Sequence, residues 1–445
     1  MTEATQTATA EKEWAAWAAI DWADQKHAWI LLPAGEREPE TGEVESTPEA
    51  VDAWAAELQQ RFAGRPVAVC LEQRRGPLVY MLAKYAHLVL FTVHPTTAAQ
   101  YRETFAPSGA KDDRNDAASL LDLLLRHRDR LRPLEPDTVE TRLIQFLAEE
   151  RRQMVDLKTA QSNRLKACLK LYFPQILQWF GDVSTPLVGD LLERWPTLEQ
   201  LQRSHPGTLG KFFREHNCRS QEWIEERVAA IRNAVPATND QAALRAGVAT
   251  ARGLVGLIEK LRSHIASLDQ QLAELAAEHP DGALFRSFPG AGKVLVPRLI
   301  AAFGTRRERF DKAYEVQCYS GIAPVTRASG NNHQVHFRWA CPKFLRQTFH
   351  EYAGHSLVKS PWARAFYDHL RQEEHKNHHA AVRALAYKWI RIIFRCWKDG
   401  KPYDERIHLQ SLERHGQARV GLSAVSTKFK WNTVAGFQKF STNNS

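Results

Sequence analysis

The chain has 445 residues, 44% of them hydrophobic and 25% charged, which allows two to four domains with sizeable cores and excludes a wholly disordered protein. The formal net charge is +9, and basic residues crowd 151–170 and 338–401, a footprint that suits a nucleic-acid partner or a solvated basic surface. Cys70, Cys168, Cys218, Cys318, Cys341 and Cys396 lack any Cys-x-x-Cys pairing and read as thiols of a reducing cytoplasm, while no signal-peptide core or membrane-length apolar run is found.

Residues 1–13 are polar and alanine-threonine rich, and are expected to be disordered. From Trp14 to about residue 135 the pattern is α/β. The apolar runs 15–21, 27–32, 67–71 and 88–93 read as strands, and 48–62, 77–85 and 116–128 carry helical periodicity. Thr47 before Pro48 and Glu49 is a helix start, with Thr47 as N-cap and proline in the first turn. Asp21 ends the first apolar run and Glu72 follows the third. Asp113 and Asp116 stand three apart in Lys111-Asp112-Asp113-Arg114-Asn115-Asp116.

Residues 136–282 read as helical, with an insert of short helices over 183–240 punctuated by Pro, Gly and His-Asn. Leu254, Leu257, Ile258, Leu261, Ile265, Leu268, Leu272 and Leu275 form a nearly heptad stripe, the mark of an interhelical seam within the chain or between subunits. A third region, 283–404, opens on Phe288-Pro289-Gly290-Ala291-Gly292-Lys293 before an apolar run. That element resembles a helix-hairpin-helix turn, whose backbone N–H groups suit a nucleic-acid phosphate; as a plain turn the same letters are common. Arg327, Arg338 and Lys343 are further candidates for nucleic-acid contact, as are Gly290, Gly292 and Lys293. Among the tryptophans, Trp339 and Trp362 are candidates for base stacking, whereas Trp389 and Trp397 lie in helical runs and read as core. The His375–His379 tract has no tetrahedral-site spacing and reads as a solvated basic loop. The tail, 405–445, reads as irregular or as ordered only against a partner.

Two strand-end acids and an Asp pair at a helix start can converge on one point, and four oxygen ligands suit one or two hard divalent cations, Mg²⁺ or Mn²⁺. A solvated cap or turn is the competing reading for each acid taken singly. A bound cation of this kind activates and stabilises the oxygens of a phosphodiester displacement. Ser329 precedes Gly330 in a polar loop, which exposes its hydroxyl beside a flexible neighbour; Ser-Gly alone is common in turns.

The order of these elements carries more than any one of them. Asp21, Glu72, the Lys-x-Asp-x-x-Asp-Ala stretch, Pro289-Gly290-Ala291-Gly292-Lys293, Gly321-Ile322-Ala323-Pro324 and Ser329-Gly330 together resemble the "IS one-ten" insertion-sequence transposases, guided by a bridge RNA. The similarity spans about Ile20 to Pro402. The resemblance implies an α/β plus all-α architecture. It would have a RuvC-like ribonuclease-H-fold domain over 14–135, a helical coiled-coil region over 136–282 and a mainly helical transposase domain over 283–404. It further implies that Asp21, Glu72, Asp113 and Asp116 hold the metal and that Ser329 is the nucleophile. Donor and target DNA, a guide RNA and a homo-oligomer, dimer or tetramer, are the partners implied, with no membrane. The segment His333 to Cys341 departs from the Gly, Ser and Lys expected there. Two rival functions follow from the residues: a metal-dependent structure-specific nuclease in which Ser329 is idle, and a nucleic-acid-binding protein with a degenerate site.

Overall fold

The computed structural model describes residues 13–73, 75–105, 113–330 and 332–414, and the chain divides into two units, 1–136 and 137–445. The expected disorder before Glu13 therefore lies outside the described residues, as does the chain beyond Arg414.

The first unit is a five-stranded mixed sheet with helices on both faces. Its elements are β1 (Ala16–Asp21), β2 (Lys26–Pro33), β3 (Glu40–Glu45), α1 (Pro48–Arg61), β4 (Val67–Leu71), α2 (Pro77–Leu82), β5 (Leu88–Thr92), α3 (Pro95–Phe105) and α4 (Asp113–His127). The strand order is β3-β2-β1-β4-β5. β1 to β3 are antiparallel neighbours, whereas β4 runs parallel to β1 and β5 parallel to β4. Alternation along each strand separates the two faces. Ala18, Ile20, Val67, Val69 and Leu71 pack under α1 and α2; Ala19, Ala68 and Cys70 pack under α4. Burial on that second face pushes the Cys70 thiol up to about 12, so it is a packing group. Thr47 caps α1 as its letters require, accepting from the Ala50 N–H at 3.2 Å.

Two elements of this unit are not marked in the sequence. β3 is an edge strand in which only Val44 is buried, so its apolar alternation is missing. α3 follows β5 directly and is strapped to α4: the Tyr101 hydroxyl donates to Asp122 at 2.6 Å, and Arg102 Nη1 donates to Asp116 at 2.6 Å.

The second unit is built on α5 (Val139–Tyr172) and α11 (Gln241–Glu278), helices of 34 and 38 residues. At 1.5 Å per residue each is roughly 50–60 Å long. They run antiparallel: Thr141 meets His279, Arg151 pairs with Asp269, and Cys168 reaches the Gly247 carbonyl. Between them lie α6 (Gln175–Trp179), α7 (Pro186–Arg194), α8 (Leu198–Gln202), α9 (Pro206–Glu215) and α10 (Gln221–Asn233). Thr185, Thr197, Ser220 and Asp240 cap the helices that follow them. These short helices share one apolar core with the Tyr172 end of α5 and with Leu254 and Ile258 of α11. Leu268 and Leu272 of the same stripe are also buried, whereas Leu257 is half exposed. Gly247 lets the two long helices close up, because a Cβ there would lie 2.4 Å from the Tyr172 ring.

The other ends of α5 and α11 join a second core, formed by α12 (Gly282–Arg286), α13 (Leu295–Phe303), α14 (Ala313–Tyr319), α15 (Lys343–Lys359), α16 (Pro361–Gln372), α17 (His378–Asp399) and α18 (Glu405–Arg414); the hairpin β6 (Val325–Ser329) and β7 (Asn332–His336), between α14 and α15 in the chain, contributes none of its described residues to it. Trp389 and Trp397 lie at its centre, their indole N–H groups donating to Ser356 Oγ and to the Gly304 carbonyl, each at 2.8 Å. Trp362 is buried too, donating to the Tyr403 hydroxyl at 2.9 Å, and is no stacking surface. Residues 405–414 form a helix where the sequence reads as irregular, because His408 docks on the Trp362 ring and Glu405 accepts from Ser360. Arg298, on the wholly buried α13, is held by Thr348 and Glu351. Glu351 is also reached by Arg152, so part of the basic face of α5 is tied up internally.

Candidate active site

The parallel pairing of β1, β4 and β5 aligns their carboxyl ends, with Ile20 opposite Leu71 and Leu71 opposite Thr92. The edge of a sheet where parallel strands end is where ligands of α/β proteins bind. A cavity of about 470 Å³ lies there, lined by Asp21, Trp22, Ala23, Glu72 and Gln73 from the strand ends, and by Ala98, Arg102, Asp116 and Ser119 from α3 and α4. Asp21 is the last residue of β1, and Glu72 directly follows β4. Asp116 lies in the first turn of α4, one residue before the buried Ala117 that seats the helix. Asp21 and Asp116 are each only 8% exposed, which takes them out of the class of solvated turn residues. Asp113 opens α4; its side chain is outside the described residues.

Three carboxylates of the described residues line this cavity, and Arg102 lies among them. Arg102 binds Asp116 Oδ1 at 2.6 Å, and the guanidinium is held above its usual range by that hydrogen bond and by the charge of Asp116, with Glu72 contributing. The donors are carboxylate oxygens, the chemistry a hard divalent cation needs. Among the described residues no three such side chains are grouped closely enough to hold an ion, and Asp116 is turned to Arg102. Behind Asp21, His27 is fully buried; its Nδ1 accepts from the Ala23 N–H at 3.2 Å, and burial keeps its pKa low and the ring neutral. That bond fixes the turn that carries Trp22 past the cavity.

In the second unit, Ser329 ends β6 opposite Asn332, and Gly330, with φ +56°, begins the turn. The loop expected around Ser329 is therefore the tip of a two-stranded hairpin. Ser329 and Arg327 are both exposed, two residues apart, and so on one face of β6. Ser320 is fully buried and donates to the Gln317 carbonyl at 3.3 Å, a structural role.

Two comparisons bear on these geometries. Residues 18–174 match a transposase family of the DEDD type, and residues 282–368 match the "Transposase IS116/IS110/IS902 family". The "Mini-circle putative transposase for IS117" of Streptomyces coelicolor is 27% identical over 87% of this chain and 95% of its own length. A 43.6 kDa protein of insertion element IS110 from the same organism is 25% identical over 68% of this chain and 74% of its own. The chain belongs to the IS110 family of insertion-sequence transposases. It is a DNA transposase, and DNA is its substrate. The first match covers all the acids, the second covers Ser329, and a DEDD domain brings dependence on a divalent metal.

Within this transposase the other candidate residues fall into two groups. Gly292, Lys293, Arg327 and Lys343 are exposed. Gly290, with φ +82°, packs on α15: a Cβ there would come 3.0 Å from the His355 backbone. Arg338 faces inward, donating to the Ala323 carbonyl at 3.2 Å, and thereby anchors the base of the hairpin. Arg102 and His27 were not singled out in the sequence. Nothing local marks them, since each acquires its place only when α3 meets α4 or when β2 folds back on β1. Among the described residues no helix is long and apolar enough to cross a membrane.

Proposed function

We propose that this transposase cuts and rejoins DNA with two centres, a divalent cation held by Asp21, Glu72, Asp113 and Asp116, and the hydroxyl of Ser329 as nucleophile. The observation that carries the reading is that Asp21, Glu72 and Asp116 line one cavity at the carboxyl edge of the sheet. The cation, Mg²⁺ or Mn²⁺, would supply charge stabilisation to phosphodiester oxygens when bound. Ser329 Oγ forms a bond to phosphorus as the P–O3′ bond breaks; the serine proton leaves to solvent base, and the departing O3′ takes up a proton. The product is a 5′-phosphoserine and a free 3′-hydroxyl, and reversal on a new strand rejoins DNA without ATP. Arg327, beside Ser329 on the same strand face, is suited to hold the phosphate.

The choice of donor and target site is delegated to a guide RNA pairing with both DNAs, so that the protein reads backbone and shape. The net charge of +9 and the exposed Lys293 and Lys343 support such contacts. The Gly290–Lys293 turn before α13 acts as the helix-hairpin-helix-like grip on a backbone. The antiparallel α5–α11 pair is the coiled-coil spacer, and Val139, Leu143 and Phe146, exposed at helical spacing on α5, support assembly into a dimer or tetramer. The serine of one subunit then meets the acids of another, which withholds cleavage until the complex is assembled.

The test is a denaturing gel of end-labelled element DNA after reaction with wild type, Ser329→Ala and Asp21→Asn. A covalent adduct bearing the 5′ phosphate is expected only with wild type. Cleavage by Ser329→Ala at the wild-type rate would overturn the serine step and leave a metal-only nuclease.

A further inference from the structure

Beyond the acids and the serine, the second unit carries an aromatic and cationic surface that the reading above does not use. Trp339 is 79% exposed, while Trp389 and Trp397 are fully buried, so this indole is not held out of water by packing. Its neighbour Phe337 meets it edge-on, with ring centroids 4.8 Å apart. Two arginines from different helices converge on the Phe337 ring: Arg346 of α15 with its Cζ at 4.8 Å from the centroid and Arg383 of α17 at 4.5 Å. Among the described residues neither arginine has a carboxylate partner. Burial and the charge of Arg346 push Arg383 below its usual range, and His350 is lowered by burial and by His379 and Arg383. Like charges gathered around one ring with no counter-ion are costly to keep, and an anion between them would offset that cost.

We propose that this surface binds an unpaired nucleotide of the DNA substrate, its base stacked on Trp339 and its phosphate between Arg346 and Arg383. A base inside a duplex already has stacking neighbours on both faces, so an exposed indole takes a base that has lost one, at a nick, a melted step or a flipped position. DNA is the occupant because it is the substrate that the family's activity requires. The register supports a place close to the reacting strand: Ser329 pairs with Asn332 and Val325 with His336, so Phe337, which follows the hairpin, is five residues from Asn332 at its tip. At about 3.3 Å per residue this is roughly 17 Å, some five nucleotides at 3.4 Å each. The nearness to the reacting strand rests on Ser329 being the nucleophile; the stacking site itself does not.

The test measures affinity of the full-length protein for a short single-stranded DNA carrying 2-aminopurine, for the corresponding duplex, and for RNA of the same sequence. Trp339→Ala should weaken single-stranded DNA binding roughly 5- to 100-fold and abolish quenching of the 2-aminopurine, and Trp339→Phe should stay within about threefold of wild type. Duplex binding should change less than about twofold. Arg346→Gln with Arg383→Gln should flatten the salt dependence on single strands by about 0.7 in log–log slope, the value for one phosphate. Unchanged single-strand affinity and quenching in Trp339→Ala would overturn the proposal. So would an equal loss on duplex, which would mark a general basic surface, or a loss confined to RNA.

Discussion

Replacing Arg102 by glutamine separates two roles that its position allows. Its guanidinium lies 2.6 Å from Asp116, and the two side chains are 28% and 9% exposed, so the pair is only weakly screened. A charge-assisted hydrogen bond of this kind contributes about 1.5–3 kcal/mol. A divalent cation that takes Asp116 must displace or share that guanidinium. Arg102→Gln should therefore bind Mn²⁺ roughly 10- to 100-fold more tightly, since each 1.4 kcal/mol is about tenfold. Without metal the variant should melt at lower temperature, because Asp116 is left buried and unpaired at a cost of about 1–3 kcal/mol. Saturating metal should restore most of the loss, because a ligand bound by the folded state stabilises it. Calorimetric titration of Mn²⁺, with thermal melts in the presence and absence of metal, reads both effects; Arg102→Lys, which keeps the charge, should fall between. Metal affinity unchanged or weakened in Arg102→Gln would refute the idea that the arginine stands in for the cation.

Asp21→Asn should lower strand cleavage at least about 100-fold while DNA affinity moves less than about threefold, since it alters a donor in the cavity and no exposed basic group; mixing it with Ser329→Ala should restore part of the cleavage if sites are shared between subunits, and no recovery in proven mixed oligomers would mean that each subunit builds its own. Burial, with the charge of Lys388, holds His408 down to about 4 from its ordinary 6.5. Above pH 6.5 neither folded nor unfolded chain protonates it; between about 6.5 and 4 only the unfolded chain does, so stability falls as the pH drops through that window and levels off below it. His408→Phe should flatten that part of a plot of melting temperature against pH. Gly247→Ala would gain up to about 1 kcal/mol of helix propensity but would drive a methyl into the Tyr172 ring, an overpacking cost of about 1–3 kcal/mol; a lower melting temperature is expected, and a higher one would show that the two long helices slide apart freely.

What could be read from the letters, and what could not, follows from whether burial or pairing decided each element. β1, β2, β4 and β5 are each buried over most of their length, so their apolar runs announced them to within a residue or two. The same holds for α11, whose stripe has one side to hide. β3 and the β6–β7 hairpin are held by backbone pairing at an edge or in solvent, and Arg327 and Gln334, exposed opposite one another, give no alternation to detect. α18 is held by contacts such as that of His408 with the Trp362 ring and the hydrogen bond from Ser360 to Glu405, which leave no periodic trace. The placement of Asp21 and Glu72 was legible because chemistry and topology coincide: a carboxylate that ends a buried parallel strand has nowhere to go but the sheet's carboxyl edge. Arg102 was not, because nothing in Pro95–Phe105 distinguishes it from Lys26 or Arg126, which also meet acids but in solvent. Its meaning lies in the 9% exposure of its partner, a property of the assembled α3–α4 pair. A guanidinium set against a nearly buried acid in a carboxylate-lined cavity offsets part of that acid's charge, and the chain has supplied it from a helix that the acid motif does not include.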